Sequence, residues 1–317
     1  MAEYRHLAKP DPEWNDFPNN LPPNTHVLQM NRAHDPITPQ PGLTIDEFTV
    51  PVRDGTEICL RRYVKTAAAT DRLPLFVYMH GGGYVTGGLE TDDETCRAIA
   101  AEIDVVVLSI EYRLAPEFTF PIGFEDSFEI VRWAASAKGQ EKLQVDLAKG
   151  FIVGGTSAGG NFTSGIAHLY AKDEIQPPIT GVVFLASNFC HPDARPARYL
   201  DRLLSVDEVI DAPGFNRTSI DHFSKIYGGP PHDKRVSSLL FDSHTGIASK
   251  AYFAVCGWDP RRDEALLFQQ LLKEAGLGTK IDVYPGLPHG FWTTCPSLPV
   301  SKTWRQNLLQ GLKWMVE

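Results

Sequence analysis

Short apolar runs recur along the chain, and stretches with helical character separate them. Runs of this kind, nearly continuous and rich in β-branched residues, suit parallel strands that are buried on both faces. They cover residues 73–80, 104–112, 150–155, 179–187, 251–257 and 280–286. The helical stretches lie at residues 91–102, 123–138, 158–172, 262–276 and 301–316. This alternation predicts an α/β fold with a mostly parallel, doubly wound sheet.

An antiparallel hairpin is predicted ahead of these strands, at about residues 45–64. The segments EFTVPV and EICLRRYV flank the pair Asp54-Gly55. An Asp-Gly pair between two strand candidates is a strong signal for a two-residue turn. We therefore expect this hairpin at one edge of the sheet.

Two segments depart from the alternation. Residues 1–42 are rich in Pro, Asn and Asp, and proline at that density breaks both helices and strand ladders. Residues 188–249 separate two strand candidates without a strong strand of their own, and so long a gap is usually functional or an added subdomain. We expect a main domain over residues 43–317, capped at the C-terminal edge of its sheet by the insertion and by the N-terminal arm.

Composition and charge exclude several classes of protein. The 317 residues include 30 Lys and Arg against 39 Asp and Glu, a formal net charge of −9, which repels phosphate backbones and argues against a nucleic-acid partner. A hydrophobic content of 43% excludes a wholly disordered or fibrous chain. The first residues show no apolar signal region, and no stretch is long and apolar enough for a transmembrane helix. These features predict a soluble, cytoplasmic protein.

The five cysteines predict neither a metal site nor a disulfide framework. They are scattered and show no CxxC or Cys/His ligand spacing. Such thiols are typical of free, mostly buried cysteines in a reducing compartment. We expect no metal ion and no organic cofactor.

The sharpest chemical motif is GTSAGG at residues 155–160, which fits GxSxG around Ser157. It lies between a predicted strand and a predicted helix. A serine on that turn is held in a cramped backbone geometry with its hydroxyl at the top of the sheet. The alternative is a glycine-rich turn that binds phosphate through the amides of a helix N-terminus.

A second motif, His80-Gly81-Gly82-Gly83, ends the strand predicted at residues 73–80. Glycines let consecutive N–H groups point at one oxygen, as an oxyanion hole requires. Gly82 and Gly83 are the candidate donors, with Ala158 as the third. The alternative is a flexible loop whose glycines only pack a turn.

A nucleophilic serine needs a base and a carboxylate that orients the base. Among ten histidines His289 stands out, because it lies in the loop directly after the last predicted strand. Asp259 follows the strand before it, which gives the chain order serine, acid, histidine. Asp259 also fits a helix N-cap with Pro260 at the first helical position, and Asp263 is the reserve candidate for the acid.

These motifs, with YRLAPE at residues 112–117 and DPRRDE at 259–264, resemble the hormone-sensitive-lipase-like branch of the α/β-hydrolases. That branch includes microbial carboxylesterases and arylacetamide deacetylases, and the resemblance runs from about residue 45 to the C-terminus. It implies that Ser157 is the nucleophile, Asp259 the acid and His289 the base. It also implies that the oxyanion hole is formed by Gly82, Gly83 and Ala158. Thr156 replaces the Asp often found before the nucleophile, which removes a negative charge beside the site.

The resemblance implies a serine carboxyl-ester hydrolase that acts through an acyl-enzyme on small to medium apolar esters. Other reactions stay open, because serine acyl-enzymes serve all of them. They are cleavage of an amide, lactone or thioester, and acyl transfer or cyclisation in a biosynthetic pathway. A small-molecule receptor is a third alternative, since gibberellin receptors resemble the family but lack the catalytic histidine. A homodimer is also open. Five aromatic residues beside the motifs are candidates for an apolar pocket: Phe118, Phe120, Trp258, Phe291 and Trp292.

Overall fold

A single sheet organises the computed structural model, which describes residues 2–12, 14, 37–68 and 72–317. Within these residues the sheet has eight strands. Their bounds are β1 Leu43–Pro51, β2 Glu57–Lys65, β3 Leu75–Met79, β4 Val106–Ile110, β5 Phe151–Thr156, β6 Gly181–Leu185, β7 Lys250–Trp258 and β8 Gly278–Pro288. The spatial order is β1-β2-β4-β3-β5-β6-β7-β8. The predicted α/β fold is confirmed.

The hairpin of β1 and β2 forms one edge of the sheet, as predicted. Its strands pair antiparallel from Leu43 opposite Lys65 to Pro51 opposite Glu57. Gly55 lies in the connecting turn with φ +80°, a conformation that glycine adopts without strain. β2 also runs antiparallel to β4, and the remaining neighbours are parallel.

Helices cover both faces of the sheet, which explains why its strands are almost continuously apolar. Leu75, Val77 and Met79 of β3 pack into one core cluster, and Phe76 and Tyr78 pack into the other. The helices are α1 Asp93–Glu102, α2 Ile122–Ala135, α3 Ala137–Leu143, α4 Ala158–Lys172, α5 Ser205–Glu208, α6 Arg217–Tyr227, α7 Arg262–Glu274, α8 Phe291–Thr294 and α9 Pro299–Val316. Residues of α2, α4 and α7 contribute to the first cluster, and residues of α1 and α9 to the second.

The helix predicted at residues 123–138 is two helices. Ser136 is extended between α2 and α3, with φ −67° and ψ 157°. Its side chain accepts a hydrogen bond from the backbone N–H of Gly139 at 3.1 Å. Serine at an N-cap stabilises a new helix start, so the prediction of one continuous helix is wrong here.

The segment at residues 188–249 holds α5 and α6 and contains no strand. Asn216 caps α6 by accepting from the N–H of Ser219 at 3.2 Å, and Gly228 ends that helix with φ +71°. Ile220 and Tyr227 form its buried face. The segment therefore adds a helical layer beside the sheet.

The predicted N-terminal arm over residues 1–42 is described only in part, because residues 1, 13 and 15–36 lie outside the described residues. Residues Ala2–Ala8 form a short 3-10 helix. The N–H of Asp11 donates to the carbonyl of Gly286 at 3.1 Å, beside the end of β8. An ion pair between Arg5 and Glu208 joins this part of the chain to the insertion. No helix of the described segments has the length and apolar character needed to cross a bilayer.

Candidate active site

Ser157 occupies the sharp turn between β5 and α4. Its backbone lies at φ 53° and ψ −111°, a positive φ that costs a non-glycine residue about 1–3 kcal/mol. A Cβ atom on either Gly155 or Gly159 would collide with the carbonyl oxygen of Met79. The GxSxG spacing is therefore a steric requirement of this turn.

Three residues that the sequence analysis selected meet in one chain of hydrogen bonds. His289 Nε2 lies 2.9 Å from Ser157 Oγ, and His289 Nδ1 lies 2.7 Å from Asp259 Oδ2. Asp259 is only 1% exposed, so water competes little for its carboxylate. The arrangement has the connectivity of a nucleophile, a base and an orienting acid.

Asp259 also accepts a second hydrogen bond, but not as the helix N-cap that the sequence analysis offered as an alternative. Its Oδ1 accepts from the N–H of Arg261 at 2.8 Å, within a turn that precedes α7. Because α7 begins at Arg262, Asp259 is not its N-cap, and Pro260 is not its first residue. That alternative is wrong, and the turn instead fixes the orientation of the carboxylate that faces His289.

Asp263, the reserve candidate for the acid, does not contact His289. Its Oδ2 accepts from the N–H groups of Leu204 and Ser205 at 3.0 and 2.8 Å. The neighbouring Glu264 likewise accepts from two backbone N–H groups of the insertion, those of Phe189 and Cys190. These hydrogen bonds join the insertion, at residues 189–190 and 204–205, to α7.

The loop after β3 presents glycines where a side chain would not fit. Gly82 and Gly83 have φ +123° and +60°. A Cβ on Gly82 would overlap the carbonyl oxygen of Thr86, and a Cβ on Gly83 would lie 2.7 Å from the ring of Phe223. Among the turn, loop and cap hydrogen bonds of the described residues, none uses the N–H groups of Gly82, Gly83 or Ala158. These donors are available for a ligand.

His80 supports this loop from the sheet side. Its ring stacks on Tyr112 with centroids 4.2 Å apart, and its Nδ1 lies 2.6 Å from the carbonyl oxygen of Gly81. Burial lowers the pKa of His80 to about 4, so the ring is neutral near pH 7 and Nδ1–H is the donor. Tyr112, from the YRLAPE motif, donates its hydroxyl to the carbonyl of His80 at 2.8 Å.

A buried carboxylate, Asp92, lies beside the same loop. Its Oδ2 accepts from the N–H of Gly81 at 3.2 Å. Burial raises its pKa to about 6, and hydrogen bonds from Gly81, Tyr78 and Thr156 oppose that rise. Thr156 and Tyr78 hydroxyls are 2.7 Å apart. The site thus has a titratable acid near Thr156 that the local motif did not indicate.

We expect Asp92→Asn to stabilise the protein above pH 6. Because the folded-state pKa of Asp92 lies above its ordinary value of 3.8, the folded state binds more protons, and the free energy of unfolding falls as pH rises from about 4 to about 6. A pKa shift of about two units lowers the free energy of unfolding by about 3 kcal/mol once Asp92 is ionised. The neutral amide of asparagine should restore about 1–2 kcal/mol of this free energy. Urea unfolding at pH 4.5 and pH 8 measures the difference. Asp104→Asn, at an exposed carboxylate, is the control, and equal pH dependence in both variants would contradict the prediction.

A cleft opens above Ser157 between the sheet and the insertion. It holds about 500 Å³, including the part that opens to solvent. Its lining comprises Gly83, Tyr84, Ser157, Ala158, Asn188, His191, Phe215, Ile220, Phe223, Ser224, Tyr227, Gly229, Val236 and Arg261. Only a small part of this space is wide enough for a water molecule, so the walls lie close together.

The aromatic wall of the cleft comes from residues other than those predicted. Phe215 stacks on the His289 ring with centroids 4.2 Å apart, and Tyr227 stacks on Tyr84 at 4.0 Å. The five aromatic residues beside the motifs do not line this cleft: Phe118 is exposed, Phe120 is half-buried against the core, and Trp258, Phe291 and Trp292 are buried in the core. Sequence analysis also missed Tyr84, Asn188, His191 and Arg261, because their common location depends on how the insertion folds back.

Comparisons with known proteins agree with this geometry. A family model described as the alpha/beta hydrolase fold matches residues 76–293. A versiconal hemiacetal acetate esterase from Dothistroma septosporum is 36% identical over 80% of this chain and 77% of its own length. The carboxylesterase NlhH from Mycobacterium tuberculosis is 33% identical over 79% of this chain and 76% of its own. The crystal structure of a vibralactone cyclase superposes with a TM-score of 0.88 at 31% identity, over 98% of this chain and 96% of that one.

The chain belongs to the α/β hydrolase fold family. The resemblance to its hormone-sensitive-lipase-like branch is confirmed by the family match and by the esterase names of the relatives.

Proposed function

We propose that this protein is a serine carboxyl-ester hydrolase that works through an acyl-enzyme. The hydrogen bond between His289 Nε2 and Ser157 Oγ, with Asp259 behind the imidazole, carries the proposal. Relatives named as esterases support the same class of enzyme. The substrate is a small-molecule ester.

In the proposed acylation, His289 removes the proton of Ser157 as Oγ attacks the ester carbonyl carbon. Asp259 holds the imidazole in the tautomer that can accept this proton and stabilises the resulting imidazolium. The N–H groups of Gly82, Gly83 and Ala158 bind the oxyanion that forms. The imidazolium then protonates the departing alcohol, which leaves an ester bond between the substrate acyl group and Ser157.

In the proposed deacylation, His289 activates a water molecule that attacks the acyl-enzyme. The tetrahedral oxyanion occupies the same N–H groups, and its collapse releases the carboxylic acid and returns the proton to Ser157. Neither step as proposed uses a metal ion or an organic cofactor.

The cleft supports small to medium, mainly apolar substrates. The space above Ser157 is narrow and partly enclosed, which suits a small or medium ester. Phe215, Ile220 and Phe223 of the insertion supply apolar wall. We infer that residues 188–249, with the N-terminal arm over residues 1–42, act as the cap of a domain that spans residues 43–317.

A second candidate is intramolecular acyl transfer, in which a hydroxyl of the substrate replaces water as the acceptor. The vibralactone cyclase structure, similar over nearly the whole chain, favours this candidate over amide or thioester cleavage. A receptor without turnover has less support, because the Ser157, His289 and Asp259 side chains form an unbroken hydrogen-bond chain.

The remaining inferences concern partners and location. A net charge of −9 supports the absence of a nucleic-acid partner. All five cysteines are free thiols, four of them buried, which supports a reducing, cytoplasmic location. We retain a homodimer as a proposal, and size-exclusion chromatography with light scattering tests it.

A p-nitrophenyl alkylphosphonate tests the proposed nucleophile directly. We expect attack by Ser157 Oγ on phosphorus to form a stable O–P bond and to release one p-nitrophenolate per chain, because the adduct mimics the tetrahedral intermediate. Mass spectrometry of the digested protein should place the adduct on Ser157. His289→Ala, which lacks the base, should be labelled at least about a hundredfold more slowly. An adduct on another residue, or none, would contradict the proposal.

A further inference from the structure

One end of the cleft is polar, and a buried cation lies there. Arg261 is only 6% exposed and lines the cleft. Its Nη1 donates to Glu264 Oε1 at 2.7 Å and to the carbonyl of Cys190 at 2.9 Å. Its Nε is buried and has no partner within the described residues. A buried N–H group without an acceptor lowers the stability of the folded protein by about 1–3 kcal/mol. Its presence in a folded protein therefore needs an explanation, and an acceptor on a bound ligand is one.

The protein groups around Arg261 do not supply the missing acceptor. Tyr84 donates to Asn161 Oδ1 at 3.0 Å and accepts from Asn188 Nδ2 at 3.1 Å, so these polar groups satisfy one another. On its other side Arg261 borders a narrow crevice with apolar walls from Pro192 and Val206. No described protein group therefore accepts from Nε, and the cleft that Arg261 lines is the space from which a ligand approaches this guanidinium.

His191 adds a second donor to the same end of the cleft. Its Nδ1 accepts from the N–H of Asp193 at 3.1 Å, which places the ring proton on Nε2. Burial lowers the pKa of His191 and outweighs the nearby charge of Asp193, which raises it, and the charge of Arg261 adds to the lowering, so the ring is neutral near pH 7. Arg261 Nε and His191 Nε2 are both hydrogen-bond donors, so a ligand at this end of the cleft must offer an acceptor.

The charge balance favours a neutral acceptor over an anion. Glu264 carries the counter-charge of Arg261, and backbone N–H groups of Phe189 and Cys190 fix its other oxygen. A carboxylate brought into this cleft would lose its hydration and meet a cation that is already neutralised, so its desolvation would be poorly compensated. A ketone or hydroxyl oxygen loses far less hydration and still accepts the hydrogen bond.

We propose that Arg261 determines specificity by binding a neutral oxygen of the substrate, a ketone or hydroxyl, that lies beyond the ester bond. The preferred substrates are then oxygenated esters, with plain alkyl esters as poorer ones. This inference rests on the proposed ester hydrolysis at Ser157 and narrows its substrate class.

Matched ester pairs test the proposal. On the acyl side, p-nitrophenyl 4-oxopentanoate is compared with p-nitrophenyl pentanoate and with the p-nitrophenyl monoester of succinic acid, which carries a carboxylate. On the alcohol side, 4-oxopentyl acetate is compared with pentyl acetate. The rate without enzyme is subtracted first, because the carboxylate of the succinate monoester attacks its own ester bond. Each kcat/KM is then divided by the rate constant of hydroxide-catalysed hydrolysis, which corrects for the intrinsic reactivity of the ester. We expect the ketone to be favoured about 10- to 100-fold in one of the two series, as for a hydrogen bond to a charged donor.

Variants assign the preference to Arg261. Arg261→Met keeps the length of the side chain without its donors, and the ketone-to-alkyl ratio should fall to about 1. Arg261→Lys keeps a positive charge and should retain part of the preference. Arg195→Met is the matched control, because Arg195 lies in the insertion outside the lining of the cleft and should leave the ratio unchanged. If the single variant does not fold, Arg261→Met with Glu264→Gln removes both charges together.

Two results would overturn the inference. The first is a ketone-to-alkyl ratio near 1 in both series for the wild type, or a ratio that Arg261→Met leaves unchanged. The second is a preference for the succinate monoester over the ketone, which would make an anion the ligand. In either case Ser157-dependent hydrolysis of the alkyl esters would leave the proposed function standing, whereas no hydrolysis of any ester would refute both.

Discussion

Ser157→Ala is expected to lower kcat for p-nitrophenyl ester hydrolysis by about 10⁵-fold or more, with little change in KM. The alanine removes the oxygen that lies 2.9 Å from His289 Nε2 and that forms the proposed acyl-enzyme. The oxyanion donors and the cleft stay in place, so substrate still binds. Residual activity then reflects only water attack within the site.

The control for this variant is Ser164→Ala, the same substitution at a serine within α4, the helix that follows the Ser157 turn. Ser164 is buried in α4, and its Oγ has no hydrogen-bond partner within the described residues. Its removal should leave kcat within about twofold, since no paired group loses its partner. Both variants should unfold within a few degrees of the wild type. Retention of more than about one hundredth of the wild-type kcat by Ser157→Ala would exclude the acyl-enzyme.

The parts of the fold that the sequence predicted are those whose pattern is local. Five apolar residues of β3, Leu75–Met79, alternate between two core clusters, so a continuous apolar run was sufficient to predict a strand covered on both faces. The turn at Ser157 was equally predictable, because the steric limit that Met79 of the neighbouring strand places on its two glycines is expressed locally as the GxSxG spacing. Asp259 and His289 were found because both follow strands, and strand ends meet at one edge.

The walls of the site could not be predicted in the same way. Phe215 and Phe223 lie about 60 residues beyond Ser157, and only the fold of the insertion brings them to His289 and Gly83. Trp292 is close in sequence to His289 but stacks on Trp304 in the core, which shows that closeness in sequence does not predict the direction of a side chain. Asp92 likewise has no local signature, since its raised pKa results from burial by the completed fold.

Asp259→Asn is the second variant with a large expected effect, because an amide cannot satisfy both partners of this carboxylate. Oδ1 accepts from the N–H of Arg261, and Oδ2 faces His289 Nδ1. In asparagine the single oxygen stays opposite the Arg261 N–H, since an NH₂ group there would oppose a donor. The NH₂ group then donates to His289 Nδ1 and places the ring proton on Nε2, toward Ser157.

That tautomer cannot accept the serine proton, so we expect kcat to fall about 10⁴-fold while KM changes little. The nitrogen-15 shifts of His289 report which ring nitrogen carries the proton, and they separate a changed tautomer from a collapsed site. Asp263→Asn is the control. Asp263 is also a buried carboxylate, but it accepts from the N–H groups of Leu204 and Ser205 and does not contact His289. It should reduce stability and lower kcat by less than about tenfold. If Asp263→Asn instead caused the large loss of kcat and Asp259→Asn the small one, Asp263 would be the acid, because the acid is the carboxylate that orients His289.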